Sequence, residues 1–331
     1  MQKIYFSFKR AVVCAALTGL LVSGALTVSG ASLTPGDPIL LEKTSGKFDF
    51  IRIDPAKRRL LLAHTGNKSL DVFDLEARRL IKSIPTGAAQ DVAVDSKNGR
   101  YFVAVSAPPQ MAIVDAGKLE MTGEVQLPAA ADLATFNPMT GRVYVCNDTA
   151  PELWVIDPKE KRITATITLP GSGMEDLAFD SKYTRLFQVV KGNNTLVVID
   201  PATNKPLESW TTVPATNPHG MAVVADGTFL VAGGSGKLAL VNGATGKVLA
   251  NADIENRVDE MAYDAELHLA YCPGGSGKMS VIRVDSDKLT LVENVAGTSG
   301  RSIVVDPKTH TVWLAFSKGE ESYVQPFAAG H

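Results

Sequence analysis

From residue 39 onward the chain is a succession of short apolar runs, each closed by Asp, Asn, Gly or Pro. None shows the three-to-four-residue spacing of an amphipathic helix, so the runs read as strands joined by tight turns. One pattern returns about every 42 residues, which marks a repeat architecture. An apolar strand ends on Asp74, Asp115, Asp157, Asp200, Asn242 and Asp285, and a second series, in step with it, ends on Asp54, Asp95, Asn137, Asp180, Asp226, Asp264 and Asp306. Between the two marks lies a further strand, as in RLLLAH, RYFVAV and RVYVCN. After the first series comes a turn such as PKEK or PATNK and then an outer strand such as ITATITLP.

Four short strands per repeat, seven times over, predict an all-β fold: a seven-bladed β-propeller with four-stranded blades. Radial packing buries the faces that isolated four-stranded sheets would leave bare. Small residues suit the crowded axis, and Ala93, Ala178, Ala222 and Ala262 fall at matching places in the innermost strands. Arg52 takes that place in the first blade and is expected to project into the channel. The last repeat reaches its third strand at residues 323–327 and then ends. Residues 39–41, which resemble the outer strand at residues 80–84, are expected to supply the missing fourth strand and close the ring.

Composition adds a compartment. Lys3, Lys9 and Arg10 precede an apolar stretch of roughly 16 residues, short for a membrane span, followed by small residues up to Ala31. Residues 1–31 therefore read as a signal peptide and 32–331 as a single propeller domain, placed in the periplasm or secreted, with no membrane span in the mature chain. Only Cys146 and Cys272 follow the leader, too few for a disulfide scaffold; Cys146 aligns with buried alanines, whereas Cys272 beside Pro273 is expected in a turn. The formal net charge of −2 and the lack of a long Lys/Arg run argue against nucleic acid as a partner.

The runs VYVCND, LWVIDP and NNTLVVIDPATNK resemble the repeat of the YVTN-type, YncE-like β-propeller proteins, and NPHGMAV resembles the turn that opens a blade in that family. The third and fourth repeats carry the likeness most closely, while the fifth and sixth have GGSGK turns in place of the usual Asn. The resemblance implies the seven-bladed ring and export, and no single activity.

The loops that lead into the inner strands and those that follow the second strands converge on one face of a propeller, at the channel mouth. The first set offers Asp49, Asp91, Asp132, Asp176 beside Glu175, His219, Asp259 with Glu260, and Arg301. The second set adds His64, Asn147 and Lys191. An Asp beside a tight turn often serves its own backbone. A ring of acids facing a narrow channel instead raises the pKa of its members unless a cation or an arginine compensates. Arg52 and Arg301 are the internal counter-ions on offer, and calcium on Asp49, Asp132, Asn147 and Asp176 is the external one.

No Gly-x-Ser-x-Gly element or phosphate cradle is present. The expectation is a non-catalytic, monomeric binding or scaffold protein without a required cofactor, which takes a protein, a peptide or a small ligand at the channel mouth. The alternative is a calcium-dependent, lactonase-like hydrolase with the metal at the acidic mouth.

Overall fold

The computed structural model describes residues 33–224 and 227–329, and these fall in one compact unit spanning Ala31–His331. The leader reading of residues 1–31 and the strand mark at Asp226 lie outside the described residues.

Six sheets are antiparallel four-stranded meanders in chain order: residues 51–85, 89–126, 131–168, 174–211, 218–253 and 262–296. The seventh contains Ser302–Val305, Thr311–Lys318 and Glu321–Ala329, and its outer strand comes from the other end of the chain. Leu33–Pro35 pairs with residues 327–329, and Ile39–Leu40 pairs with Val324 and Tyr323. The expected closure is present, and it enlists an additional strand ahead of residue 39. Each inner strand contacts the next, Ser302–Val305 contacts Ile51–Asp54, and the ring is complete.

Burial follows the layers. The second strand of each blade, such as Leu60 to His64 or Tyr101 to Val105, is buried on both faces because a neighbouring blade covers each. Its sequence is therefore a continuous apolar run, whereas outer strands such as Arg79–Pro85 alternate between exposed and covered positions. Seven apolar clusters fill the gaps between blades, one per gap. Trp154, Trp210 and Trp313 each lie in one of these clusters. Cys146 is buried as expected, and so is Cys272, which sits inside the strand Leu269–Pro273 and not in an exposed turn.

The repeated polar marks serve turns. Asp74, Asp115, Asp157 and Asn242 each accept hydrogen bonds from the backbone N–H groups two and three residues on. The residue four places after a mark is left-handed at eleven of the thirteen marks: Arg58, Arg78, Gly99, Leu119, Gly141, Lys161, Thr184, Asn204, Gly246, His268 and His310 all have φ between 51° and 70°. The inner-strand marks also tie blades together. Asp54 accepts from Tyr101 Oη at 2.8 Å, Asp306 binds the Arg58 guanidinium at 2.6 Å, and Asp264 meets His310 Nδ1 at 2.7 Å.

Candidate functional site

The channel mouth is built by two adjacent residues in each blade, four and five places before the inner-strand mark, counted in blade five from Val224, where the inner strand turns, and not from Asp226. A strand turns successive side chains to opposite faces, so the two positions part company. Those four places before the mark point into the ring body and are buried: Phe50, Asp91, Leu133, Asp176, Gly220, Glu260 and Ser302. Those five places before form the rim: Asp49, Gln90, Asp132, Glu175, His219, Asp259 and Arg301. In blades two to five a β-bulge falls at this point of the inner strand, and the residue it adds is aimed at the mouth.

The sequence-predicted acids therefore divide. Asp91, Asp176 and Glu260 are braces between blades. Asp91 Oδ2 accepts from Ala134 N–H at 3.2 Å, Asp176 Oδ2 from Met221 N–H at 3.0 Å, and Glu260 Oε2 from Ile303 N–H at 3.3 Å. Each bond runs from an even-numbered blade to the inner strand of the next. Burial raises the Asp176 carboxyl, against the pull of Arg52, and pushes Glu260 well above the usual carboxylate range.

Arg52 enters the channel as expected. It grips Asp91 with two hydrogen bonds of 2.9 and 3.0 Å, stands 3.6 Å from Asp176 and lies over the Phe50 ring at 4.8 Å. Burial alone would discourage its charge, but Asp91 and Asp176 outweigh that and raise its pKa. Beside it the channel holds a cavity of about 270 Å³ walled by Ala93, Thr135, Phe136, Ala178 and Phe179.

The rim is uneven. Glu175 pairs with Lys191, and His219 Nε2 stands 3.9 Å from the same carboxylate, so this sector is compensated; burial still raises the Glu175 carboxyl. Arg301 pairs with Asp259 at 3.3 Å on the exposed lip. Gln90, which sequence reasoning passed over, donates its amide N–H to Asp49 Oδ2 at 2.9 Å when both ends of the amide are satisfied. Asp132 has no hydrogen-bond partner and no counter-ion among the described residues. Desolvation, then Asp259 nearby, carries the Asp49 carboxyl up to about 7, and desolvation followed by Asp49 and Glu175 carries Asp132 to about 8.

Two predicted residues are not at the mouth surface. Asn147 is buried and caps its own loop, accepting from Thr149 N–H at 3.0 Å and donating to Glu152 at 3.3 Å. His64 is fully enclosed. Its Nδ1 faces Asp71 Oδ2 at 2.7 Å, and its Nε2 faces the Gly46 carbonyl at 3.0 Å and Ser322 Oγ at 3.2 Å. The residue types are those of a hydrolytic triad, but all three side chains are inaccessible, and they join blade one to blade seven and the N-terminal segment. Backbones there are in close contact: a Cβ on Gly66 would stand 2.6 Å from Gly46 Cα.

Calcium fits poorly. Asp176 is spent on Arg52 and on backbone N–H groups, Asn147 on its loop, and no three His, Cys, Asp or Glu side chains among the described residues are placed to share one metal ion.

A closed ring of seven antiparallel blades with a polar mouth defines the chain as a seven-bladed β-propeller, assembled from repeats. Residues 97–261, from within blade two to the threshold of blade six, match a family described as a repeat of unknown function (DUF6923). No curated protein matches the chain. Among solved structures it is similar to hydrazine synthase of Kuenenia stuttgartiensis, at 14% identity over 85% of this chain and 97% of that one, with a TM-score of 0.74. It is also similar to the RRP9 WD40 repeats, at 12% identity over 89% and 100% with a TM-score of 0.75. A chain of a mitotic checkpoint complex matches at 12% identity over 99% of both chains, with a TM-score of 0.75. At these identities the likeness concerns the fold alone.

Proposed function

We propose that this propeller is an exported, non-catalytic binding protein that takes a cationic group of a protein, peptide or small ligand at its channel mouth. The observation that carries the reading is the uncompensated side of the rim, where Asp49 and Asp132 are driven to about 7 and about 8. A lysine, an arginine or an amine at the mouth lowers both pKa values and displaces the protons these carboxyls hold near neutral pH, so binding relieves the repulsion between them and releases protons. The leader-like residues 1–31 support export, and the YVTN-type, YncE-like appearance of repeats three and four supports the same assignment. A solved structure of the same fold is a chain of a multi-protein complex, in keeping with a rigid ring that presents loops to partners.

The test is calorimetric titration of the mature chain with a short lysine- and arginine-rich peptide, with spermidine and with calcium, on wild type and on Asp49→Asn and Asp132→Asn. Peptide or polyamine binding that weakens about tenfold in each variant and with added salt supports the reading. Absence of binding by both refutes it. Saturable calcium binding lost in both variants favours the metal-dependent hydrolase instead and directs assays to lactones and esters.

A further inference from the structure

Away from the mouth, the seam where the chain's first described strands meet blade one holds a groove of about 580 Å³ on the outer wall of the ring. Its apolar lining is Ile39, Leu40, Leu80 and Ile81. Leu40 and Ile81 are 42% and 38% exposed, large apolar side chains left facing water. Around them stand Lys43, Arg78, Arg79 and Lys82 against the single acid Glu42. This is a cationic patch on a chain whose formal net charge is −2.

Those cations are barely engaged. Lys43 and Arg79 have no carboxylate partner among the described residues, Arg78 lies over the Trp313 ring at 5.7 Å, and Lys82 is 3.9 Å from the exposed Glu120. One wall of the groove is Arg79–Pro85, the terminal strand of its sheet, which pairs with Ser69–Asp74 on one side only. The facing edge is interrupted: Leu33–Pro35 and Ile39–Leu40 both pair with the last strand but are separated by residues 36–38. An open strand edge beside an apolar floor accepts an added strand, with backbone hydrogen bonds along the edge and alternate side chains seated in the groove.

We infer that this groove docks an extended segment of a partner protein in which apolar and acidic residues alternate. Alternation places leucine- or isoleucine-like side chains on Leu40, Leu80 and Ile81 while carboxylates meet Lys43, Arg79 and Lys82. The chain's own leader is the wrong occupant, because Lys3, Lys9 and Arg10 carry the same sign of charge as the groove.

The experiment is fluorescence anisotropy of the mature chain with a fluorescein-labelled octapeptide of alternating leucine and glutamate, and with its leucine–lysine counterpart. The expected result is saturable binding of the glutamate peptide, weakened about tenfold or more by Arg79→Glu with Lys82→Glu and by Leu40→Ser and unchanged by Asp132→Asn at the mouth, while any binding of the cationic lysine peptide is indifferent to the groove substitutions. All three groove positions are exposed, so these substitutions leave the core intact. No saturable binding of the glutamate peptide, binding of it that is indifferent to the groove substitutions, or binding of it that is lost in Asp132→Asn overturns the inference. So does either of two alternative occupants: phosphatidylglycerol vesicles that sediment with wild type and not with the groove variants, or wild-type dimerisation in the ultracentrifuge that those variants abolish.

Discussion

Single residues in this ring are asked to do unlike things in like positions. Thr184 occupies a left-handed site with φ of 51° where the matching residues of two other blades are Gly99 and Gly141. A β-branched residue there costs about 1 kcal/mol or more. Thr184→Gly is accordingly expected to stabilise the chain by about 1 kcal/mol in denaturant unfolding. His64 illustrates the opposite case, a residue that looks reactive and is structural. Its removal in His64→Ala strands the buried Asp71 carboxylate and a carbonyl at the ring seam, with an expected loss of about 3–5 kcal/mol in the same measurement. The sequence shows that His64 and Asp71 exist, but it does not show that Ser322 lies beside them, because 258 residues separate that pair along the chain.

Among elements, the inner strands carry the braces that hold successive blades together, and these braces are not equivalent. Asp91 is clasped by Arg52 and by Ala134 N–H, whereas burial raises the Glu260 carboxyl well above the usual carboxylate range. Asp91→Ala is expected to destabilise by about 3 kcal/mol, since it removes both hydrogen bonds to the Arg52 guanidinium and leaves Asp176, at 3.6 Å, as its nearest carboxylate. Glu260→Gln keeps an oxygen for Ile303 N–H and replaces a carboxyl whose charged form burial disfavours, so its cost is expected to stay within about 1 kcal/mol. Equal losses in the two variants would contradict this division. The alternation that separates braces from rim is partly legible, because counting back from each mark sorts the acids by position. The bulges at the rim are not legible, and without them adjacent acids such as Glu175 and Asp176 read as one group.

For the molecule as a whole, the mouth sets a pH dependence. Asp49 and Asp132 rise from 3.8 in the unfolded chain to about 7 and about 8 in the ring, so between those limits the folded state holds more protons. Stability from these two groups is complete below pH 4 and declines as pH climbs through 7 and 8. Turn aspartates such as Asp95 and Asp306 have lowered pKa values, so their contribution is complete above about pH 4 and fails only in acid. The melting temperature at pH 5.5 is therefore expected to exceed that at pH 8.5 by about 5 °C or more in scanning calorimetry. Asp49→Asn combined with Asp132→Asn should remove most of the difference, and a bound cation at the mouth should do the same for wild type.

Period, strand count, turn chemistry and ring closure follow from the sequence alone, because each is written locally: an apolar run, a turn-forming Asp, an outer-strand match at the other end of the chain. The environment of each polar side chain is settled only by the tertiary structure. Asp132 and Asp176 are alike as text, yet one lies half-buried at the rim without a partner among the described residues and the other is locked between Arg52 and Met221 N–H. The difference comes from which blade stands next to which and from a bulge that turns one residue outward. Burial and proximity are properties of the closed ring, and no single repeat contains them.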